Sequence, residues 1–156
     1  MLSRDLIIDA SAIINLIRSQ MARPCLHGIE PQPSITPAIC SECRGRSETA
    51  AALKQLIDEE CLQELRESIT ADDLLGFMEQ YDLGAGESEG ILMCLILNKH
   101  LWCDDRRARK IATDLLTKPA VIGTLGILRD LVSVGVISTE VAFEGYQPVL
   151  DRKSVV

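Results

Sequence analysis

The chain alternates short apolar runs with longer stretches in which apolar residues recur at helical spacing. Two runs, Leu6–Ile8 and Leu101–Cys103, are followed directly by aspartates, and a third spans Ala120–Gly123. Short continuous apolar runs of this kind are typical of buried parallel strands. Residues Cys61–Leu65 alternate weakly and are predicted to form a further strand. Strands that alternate with helices in this way predict an α/β sandwich around a mainly parallel sheet.

Helical stretches occupy most of the intervals between these strands. Ser11 is expected to cap a helix that extends through residue 20, and Thr70-x-x-Asp73 resembles a capping box that opens a helix ending near residue 81. The stretch Glu87–Asn98 is apolar on nearly every side, which predicts a buried helix. Further helices are predicted over 47–58, 106–116 and 124–134, and from Thr139 onwards.

Two stretches lack a regular pattern. Residues 22–37 contain four prolines and no clear period, which predicts a loop or an irregular connector. The tail from Asp151 is expected to be loose. With 156 residues and no internal repeat or linker, the chain is expected to form one domain over residues 1–156.

The charge balance narrows the classes of function. The chain carries 16 Lys and Arg against 23 Asp and Glu, a net charge of −7, which makes it a poor candidate for a general nucleic-acid coat. This balance still allows an enzyme that handles phosphates through metal ions held by its own carboxylates. Aromatic residues make up only 3%, which argues against base-stacking platforms for single strands.

The apolar runs and the cysteines indicate the cellular compartment of the protein. No stretch reaches eighteen consecutive apolar residues, so no membrane span is predicted, and the N-terminus lacks the layout of a signal peptide. Of six cysteines, Cys94 and Cys103 lie in apolar runs, where thiols usually act as small hydrophobic groups. We therefore predict a reduced, cytoplasmic protein.

Acidic residues follow two of the predicted strands. Asp9 comes after the first strand, and Asp104 and Asp105 come after the strand that contains Trp102. Because the carboxyl ends of parallel strands line the ligand crevice of an open sheet, these acids are candidates for one site. The alternative is that the aspartates only end strands and cap helices.

Glu87, Glu89 and Glu42 are the remaining candidate acids. Glu87 and Glu89 open an otherwise apolar helix, and residues two apart on a helix point about 200° apart, so only one of them can face the crevice. Acids in a first turn also complement the helix dipole, which is the simpler interpretation. Glu42 follows a proline-containing extended stretch at the start of a predicted helix.

These acids belong to longer motifs that resemble those of PIN-domain nucleases. The resemblance runs from about residue 5 to residue 137 and is greatest to the small prokaryotic branch that includes the toxins of toxin–antitoxin pairs. It is carried by Leu6-Ile7-Ile8-Asp9-Ala10-Ser11-Ala12-Ile13-Ile14, Thr36-Pro37-x-x-x-x-Glu42, Leu83-Gly84-x-Gly86-Glu87-x-Glu89, Cys103-Asp104-Asp105-Arg106-Arg107-Ala108-Arg109-x-x-Ala112 and Val121-Ile122-Gly123-Thr124-Leu125-Gly126-Ile127-Leu128.

The resemblance implies a three-layer α/β/α sandwich and a quartet of catalytic acids that hold one or two Mg²⁺ or Mn²⁺ ions. Carried over position by position, the quartet is Asp9, Glu42, Glu89 and Asp105. Two adjacent acids would be alternative or supporting ligands, and two hydroxyl residues would support the site: Asp104, Glu87, Ser11 and Thr124. Gly90 stands where the family usually has Ala, a departure that lowers helix propensity.

The implied chemistry suits these residue types. Carboxylates are hard oxygen donors that favour Mg²⁺ or Mn²⁺, and such an ion lowers the pKa of a bound water and stabilises the charge of the transition state. The resemblance implies hydrolysis of RNA that leaves a 5′-phosphate. Phosphate contacts are expected from Arg44, Arg106, Arg107 and Arg109, although such charges also occur on a merely solvated helix face.

Several alternatives stay open. The chain could be a catalytically inactive PIN-like module that binds nucleic acid or protein, and the substrate could be DNA, since recognition of the 2′-hydroxyl leaves no motif. Cys25-x-His27 and Cys40-x-x-Cys43 have zinc-like spacing, but free thiols are the favoured interpretation. Apolar residues at Val132–Val136 and at positions 149, 150, 155 and 156 suggest a surface for a homodimer or for an antitoxin.

Overall fold

The computed structural model describes residues 1–117 and 120–153, with side chains as far as residue 147. Its strands are β1 (Leu2–Ser3), β2 (Leu6–Ile8), β3 (Ile29–Glu30), β4 (Ser34–Ile35), β5 (Gln63–Glu64), β6 (His100–Trp102) and β7 (Val121–Ile122). Its helices are α1 (Ala10–Arg18), α2 (Ala22–Leu26), α3 (Pro37–Arg44), α4 (Ser47–Asp58), α5 (Ala71–Tyr81), α6 (Ala85–Leu97), α7 (Arg106–Leu115), α8 (Thr124–Ser133) and α9 (Thr139–Lys153).

A five-stranded parallel sheet forms the centre of the molecule, with the strand order β5-β4-β2-β6-β7. In β2, Ile7 is paired with Ser34 of β4 on one side and with Leu101 of β6 on the other. All three residues of β2 are buried, because helices cover both faces of the sheet. The predicted three-layer α/β/α sandwich with a mainly parallel sheet is confirmed.

The strand order places a switch point at β2. From β2 the chain moves outward through β4 and β5, and then crosses to the other side to add β6 and β7. In open α/β sheets the connections after the strands beside such a switch point diverge, which leaves a crevice at the carboxyl ends of those strands. Asp9 follows β2 directly, so it lies at this crevice.

The prediction of an irregular connector over residues 22–37 is wrong. This stretch contains α2, a strand that pairs with β1 in a small second sheet, and β4 of the main sheet. The two residues of β4, Ser34 and Ile35, are both fully buried between β2 and β5. A two-residue strand between prolines has no periodicity to detect, so only its tertiary pairing shows that it is a strand.

Several helix ends differ from the prediction. Asp9 caps α1 in place of Ser11, and α6 begins at Ala85, two residues before the predicted start. Glu42 lies in the last turn of α3 and not at its start. The capping role of Thr70 is confirmed, since its hydroxyl accepts the N–H of Asp73 at 3.2 Å.

The C-terminal part of the chain is helical further than expected. Residues 151–153, predicted as the start of a loose tail, belong to α9, and residues 154–156 lie outside the described residues. Within residues 1–117 and 120–153, no helix is long and apolar enough to cross a membrane. That the whole chain forms one domain remains a prediction.

Candidate active site

Asp9 is a buried carboxylate at the centre of the carboxyl edge of the sheet, where its residue is only 3% exposed. Its Oδ2 accepts hydrogen bonds from the N–H of Ser11 at 3.3 Å, from the hydroxyl of Ser11 at 2.8 Å and from the thiol of Cys103 at 3.5 Å. Burial raises the pKa of Asp9, and the hydrogen bonds offset only part of this increase. Holding Asp9 ionised at this position is therefore costly without a cation.

Glu42 reaches the same region from α3, which packs against α6. A Cβ atom at Gly86 would come within 2.6 Å of Glu42 Oε2, so the glycine leaves space for this carboxylate. Desolvation of the carboxyl group raises the pKa of Glu42, the charge of Asp9 raises it further, and Arg46 lowers it. Glu42 and Asp9 therefore repel each other across the crevice.

Glu87 projects from the first turn of α6 towards the same acids. Its half-buried carboxylate accepts the N–H of Gly84 at 3.3 Å. Burial raises the pKa of Glu87 most, and the charges of Asp9, Asp105 and Glu42 raise it further. Glu87 is thus the acid of α6 that faces the other three.

Asp105 completes this group from the opposite side of β2. It caps α7, and its Oδ1 accepts the N–H of Ala108 at 2.8 Å. Its negative charge raises the pKa of Glu87. We refer to Asp9, Glu42, Glu87 and Asp105 as the acidic cluster.

Glu89, which the resemblance placed in the quartet, has a different environment. Its residue is 6% exposed, and its carboxylate lies near the N–H of Ala38 and the hydroxyl of Thr36 at the N-terminus of α3. Burial raises the pKa of Glu89, and these two polar groups lower it. The structure therefore brings Glu87 together with the quartet residues and directs Glu89 to the start of α3. The 200° separation of the two glutamates was the sequence signal for this division.

Asp104 is held in a comparable way at the start of α8. Its Oδ1 accepts the N–H of Thr124 at 2.7 Å, and its Oδ2 accepts the Thr124 hydroxyl at 2.5 Å and the amide of Asn15 at 3.3 Å. The backbone N–H of Asp104 donates to the hydroxyl of Ser11 at 3.4 Å. Ser11 and Thr124 thus lie beside the acids, as expected for supporting residues. We refer to Asp104 and Glu89 as the anchored acids.

Three residues of this network had no distinguishing signal in the sequence. Asn15 joins α1 to Asp104, and the Cys103 thiol donates to Asp9. The buried Trp102 donates its indole N–H to the hydroxyl of Thr124 at 3.1 Å. Each is an ordinary helix or strand residue in the sequence, and its role depends on tertiary contacts alone.

The four candidate arginines divide into two groups. Arg44 pairs with Glu64 at 3.3 Å and Arg107 with Asp82 at 3.0 Å. Within the described part of the chain, Arg106 and Arg109 form no ion pair. These two are therefore the arginines that are available to contact an anion.

Ion pairs do not neutralise the acidic cluster. Among the described residues, none of its four carboxylates forms one, and the charge of Arg46 acts on Glu42 without forming an ion pair. Hard oxygen donors with excess negative charge suit Mg²⁺ or Mn²⁺. The described residues contain no group of three or more His, Cys, Asp or Glu side chains arranged to hold a metal ion.

The cysteines are all free and buried. The ring of His27 lies beside Cys61, with its Nε2 3.2 Å from the sulfur, and not beside Cys25 of the zinc-like spacing. Cys40 donates its thiol to Glu64 at 3.6 Å. Burial raises the pKa of Cys25 and of Cys43 to about 12, so both are held as thiols.

Comparisons with known proteins agree with this architecture. The profile of the family described as "DUF3368: PIN domain" matches residues 5–152. A crystal structure of PAE2754 from Pyrobaculum aerophilum is similar with a TM-score of 0.57 and 18% sequence identity, over 84% of this chain and 99% of that chain. At this identity the likeness concerns the fold alone. No curated protein matches the chain.

Proposed function

Because the chain belongs to the PIN-domain family, whose members are generally nucleases, we propose that it is a metal-dependent endoribonuclease. The observation that carries the proposal is that Asp9, Glu42, Glu87 and Asp105 lie at the switch point of the sheet, where burial raises the pKa of Glu87 most and the charges of the other three raise it further. In this proposal Glu87 takes the third place of the quartet, and Glu89 supports the site from the start of α3.

The acidic cluster would hold one or two Mg²⁺ or Mn²⁺ ions. When bound, such an ion supplies a water of lowered pKa and positive charge for the phosphodiester transition state. Asp9 is held in place by its hydrogen bonds with Ser11 and Cys103, so its carboxylate is positioned before a cation binds. Glu42 and Glu87 approach from α3 and α6, and their mutual repulsion is relieved when a cation lies between them.

The basic residues are assigned to the RNA backbone. Arg106 and Arg109, which follow Asp105 on α7, have free guanidinium groups that suit phosphate oxygens. Arg44 and Arg107 would exchange their partners Glu64 and Asp82 for phosphates, so we expect weaker contributions from them. Their replacement is expected to reduce the salt dependence of RNA binding.

The finer biological role belongs to the same proposal. A cytoplasmic toxin with a protein antitoxin would need a surface for that partner, and exposed apolar residues supply candidates: Leu95 and Ile96 on α6, Leu125 on α8, Val134 after α8 and Phe143 on α9. The same residues are candidates for a homodimer contact. Of the apolar residues expected there, Val132 and Val136 pack against the core, and the side chains of positions 149, 150, 155 and 156 lie outside the described ones.

The test is cleavage of an end-labelled single-stranded RNA by the full chain with Mg²⁺, with Mn²⁺ and with EDTA. Asp9→Asn is expected to lower the rate on the order of 10²–10³-fold, as the loss of one electrostatic contact to a transition state does. Asp5→Asn is the matched control, since Asp5 lies at the opposite end of β2 and pairs with Lys99 at 2.6 Å. Both substitutions remove one negative charge.

The result expected is metal-dependent cleavage that Asp5→Asn retains and Asp9→Asn loses. Cleavage of DNA in place of RNA would correct the substrate and keep the site. Absence of cleavage, together with absence of thermal stabilisation by divalent ions, would favour the inactive binding module.

A further inference from the structure

A cleft of about 620 Å³ lies beside the acidic cluster and is formed by α7, α8 and α9. It is lined by Asp104 and Thr124, which adjoin the cluster, and by Arg109, Leu125, Arg129 and Tyr146. Its volume lies in the range of sites that enclose a small organic ligand. Asp104, which lines the cleft, donates its backbone N–H to the Ser11 hydroxyl, and that hydroxyl donates to Asp9 of the acidic cluster, so the cleft adjoins the cluster.

We infer that this cleft binds the nucleotide of the RNA that adjoins the scissile phosphate, with Tyr146 stacking on its base and Arg109 and Arg129 contacting its phosphates. The inference rests on the proposed function and specifies how the substrate continues beyond the acidic cluster.

The two guanidinium groups supply positive charge on a chain that is acidic overall. Arg109 packs over the start of α8, where a Cβ atom at Gly123 would lie 3.0 Å from its Nη1. Arg129 is 75% exposed and pairs with its neighbour Asp130 at 3.0 Å. The carboxylate of Asp104, the acid that lines the cleft, is already occupied by Thr124 and Asn15. Arg109 is therefore available to phosphate oxygens, and Arg129, whose side chain is largely exposed, would exchange Asp130 for a phosphate.

Tyr146 is the aromatic residue that is placed for this role. The five aromatics are one Trp, two Tyr and two Phe. Trp102 is fully buried, Phe77 and Tyr81 pack on each other with ring centroids 4.6 Å apart, and Phe143 lines a separate apolar groove. Tyr146 borders both that groove and the cleft, so one edge of its ring is supported by apolar contacts.

The close seating of α9 fixes the position of this ring. A Cβ atom at Gly145 would collide with the side chain of Met21, so the glycine allows α9 to approach the body of the protein closely. A platform that is held in place before binding loses little conformational entropy when a base stacks on it. The low aromatic content of the chain argues against a series of base-stacking platforms, but it allows this single one.

A second pocket, of about 420 Å³ between α1, α2 and α4, provides the control. It also contains an arginine, Arg23, which donates two hydrogen bonds to Glu59 at 2.7 and 2.9 Å, as Arg129 donates two to Asp130. Among the described residues, the lining of this pocket includes no aromatic ring and no acid of the candidate site. Arg23→Ala removes the same charge as Arg129→Ala at a site where we expect no nucleotide.

The experiment measures the Kd of a fluorescent single-stranded oligoribonucleotide by anisotropy, in the full chain carrying Asp9→Asn so that the RNA is not cleaved in Mg²⁺. Tyr146→Leu is expected to weaken binding on the order of 10-fold, and Tyr146→Phe to leave it unchanged, since stacking needs only the ring. Arg129→Ala is expected to reduce the slope of log Kd against log salt by about 1, and Arg23→Ala to leave it unchanged.

Equal Kd values and salt slopes for the Tyr146, Arg129 and Arg23 variants would overturn the inference. In that case RNA binding by the Asp9→Asn chain would leave the nuclease proposal standing. Absence of RNA binding in every variant would overturn both. Thermal unfolding of Tyr146→Leu checks that it folds, and Arg129→Ala, at an exposed side chain, tests the inference independently.

Discussion

Two groups of acids at the same edge of the sheet differ in what surrounds them. The anchored acids Asp104 and Glu89 each face a threonine hydroxyl and a backbone N–H at the start of a helix, α8 for the first and α3 for the second. In the acidic cluster, Asp9 and Asp105 also accept an N–H at the start of a helix, but the charges of neighbouring acids add to burial in raising the pKa of Glu42 and of Glu87. Neighbours in sequence thus take different roles: Asp104 and Asp105 are adjacent, and Glu87 and Glu89 are two residues apart.

The difference shows how an acidic site is kept together before a cation binds. Each anchored acid joins its own part of the chain to the start of another helix, where the helix N-terminus stabilises its negative charge. Glu89 connects α6 to α3, which carry Glu87 and Glu42. Glu89 therefore links the two helices that carry Glu42 and Glu87, and a cation bound by these acids would reduce the repulsion between them.

The largest effects that separate the two groups are expected from Glu87→Gln and Glu89→Gln. Glu87→Gln is expected to lower kcat/KM on the order of 10²–10³-fold without lowering the melting temperature in EDTA, because it removes a repelled charge. Glu89→Gln is expected to lower the free energy of unfolding by about 1–3 kcal/mol, because it weakens the interactions of a buried carboxylate with two polar groups. Cleavage kinetics and chemical unfolding measure the two quantities.

Thermal stabilisation by Mg²⁺ gives a second readout for the same pair. Glu89→Gln is expected to retain this shift and Glu87→Gln to lose it. The opposite pattern would return Glu89 to the quartet and assign the supporting role to Glu87.

A smaller effect is expected from replacing Thr124, which contacts both the anchored acid Asp104 and the buried Trp102. Thr124→Val removes the acceptor of the Trp102 indole N–H and a donor to Asp104, which should lower the free energy of unfolding by about 1–3 kcal/mol. Thr124→Ser keeps the hydroxyl and serves as the control. Because Trp102 is the sole tryptophan, its fluorescence during urea unfolding reports on this site directly. Equal stability of the two variants would show that the hydroxyl is unimportant.

The smallest expected effect is a pH dependence of stability that arises from Asp9 of the acidic cluster. Burial raises the pKa of Asp9 above its ordinary value of 3.8, so the folded state holds this proton more tightly than the unfolded state. The resulting stabilisation is complete below that ordinary value and is lost as the pH rises through the folded pKa. In EDTA, the melting temperature of Asp9→Asn minus that of the unchanged chain should therefore increase from acidic to neutral pH. A difference that is independent of pH would contradict this assignment.

Much of the fold could be predicted from local patterns. The runs that became β2 and β6 are continuous and apolar because central parallel strands are buried on both faces, and the half-buried edge strand β7 has the same pattern, so this signal needs no tertiary information. The strand β4 could not be predicted in this way, because Ser34 and Ile35 form a strand only through their pairing with β2 and β5. Proline on either side concealed them further.

The candidate site divides in the same way. The sequence alone determined that acids follow two of the strands and that only one of Glu87 and Glu89 can face the crevice, because helical and strand periodicity are local properties. Only the tertiary structure decided the strand order, that the charges of the other three acids act on Glu87, that Glu89 lies at the start of α3 and that Tyr146 borders a cleft beside Asp104. These choices depend on which helix terminus or ring lies within hydrogen-bonding or contact distance of a side chain, and the packing of helices distant in sequence sets those distances.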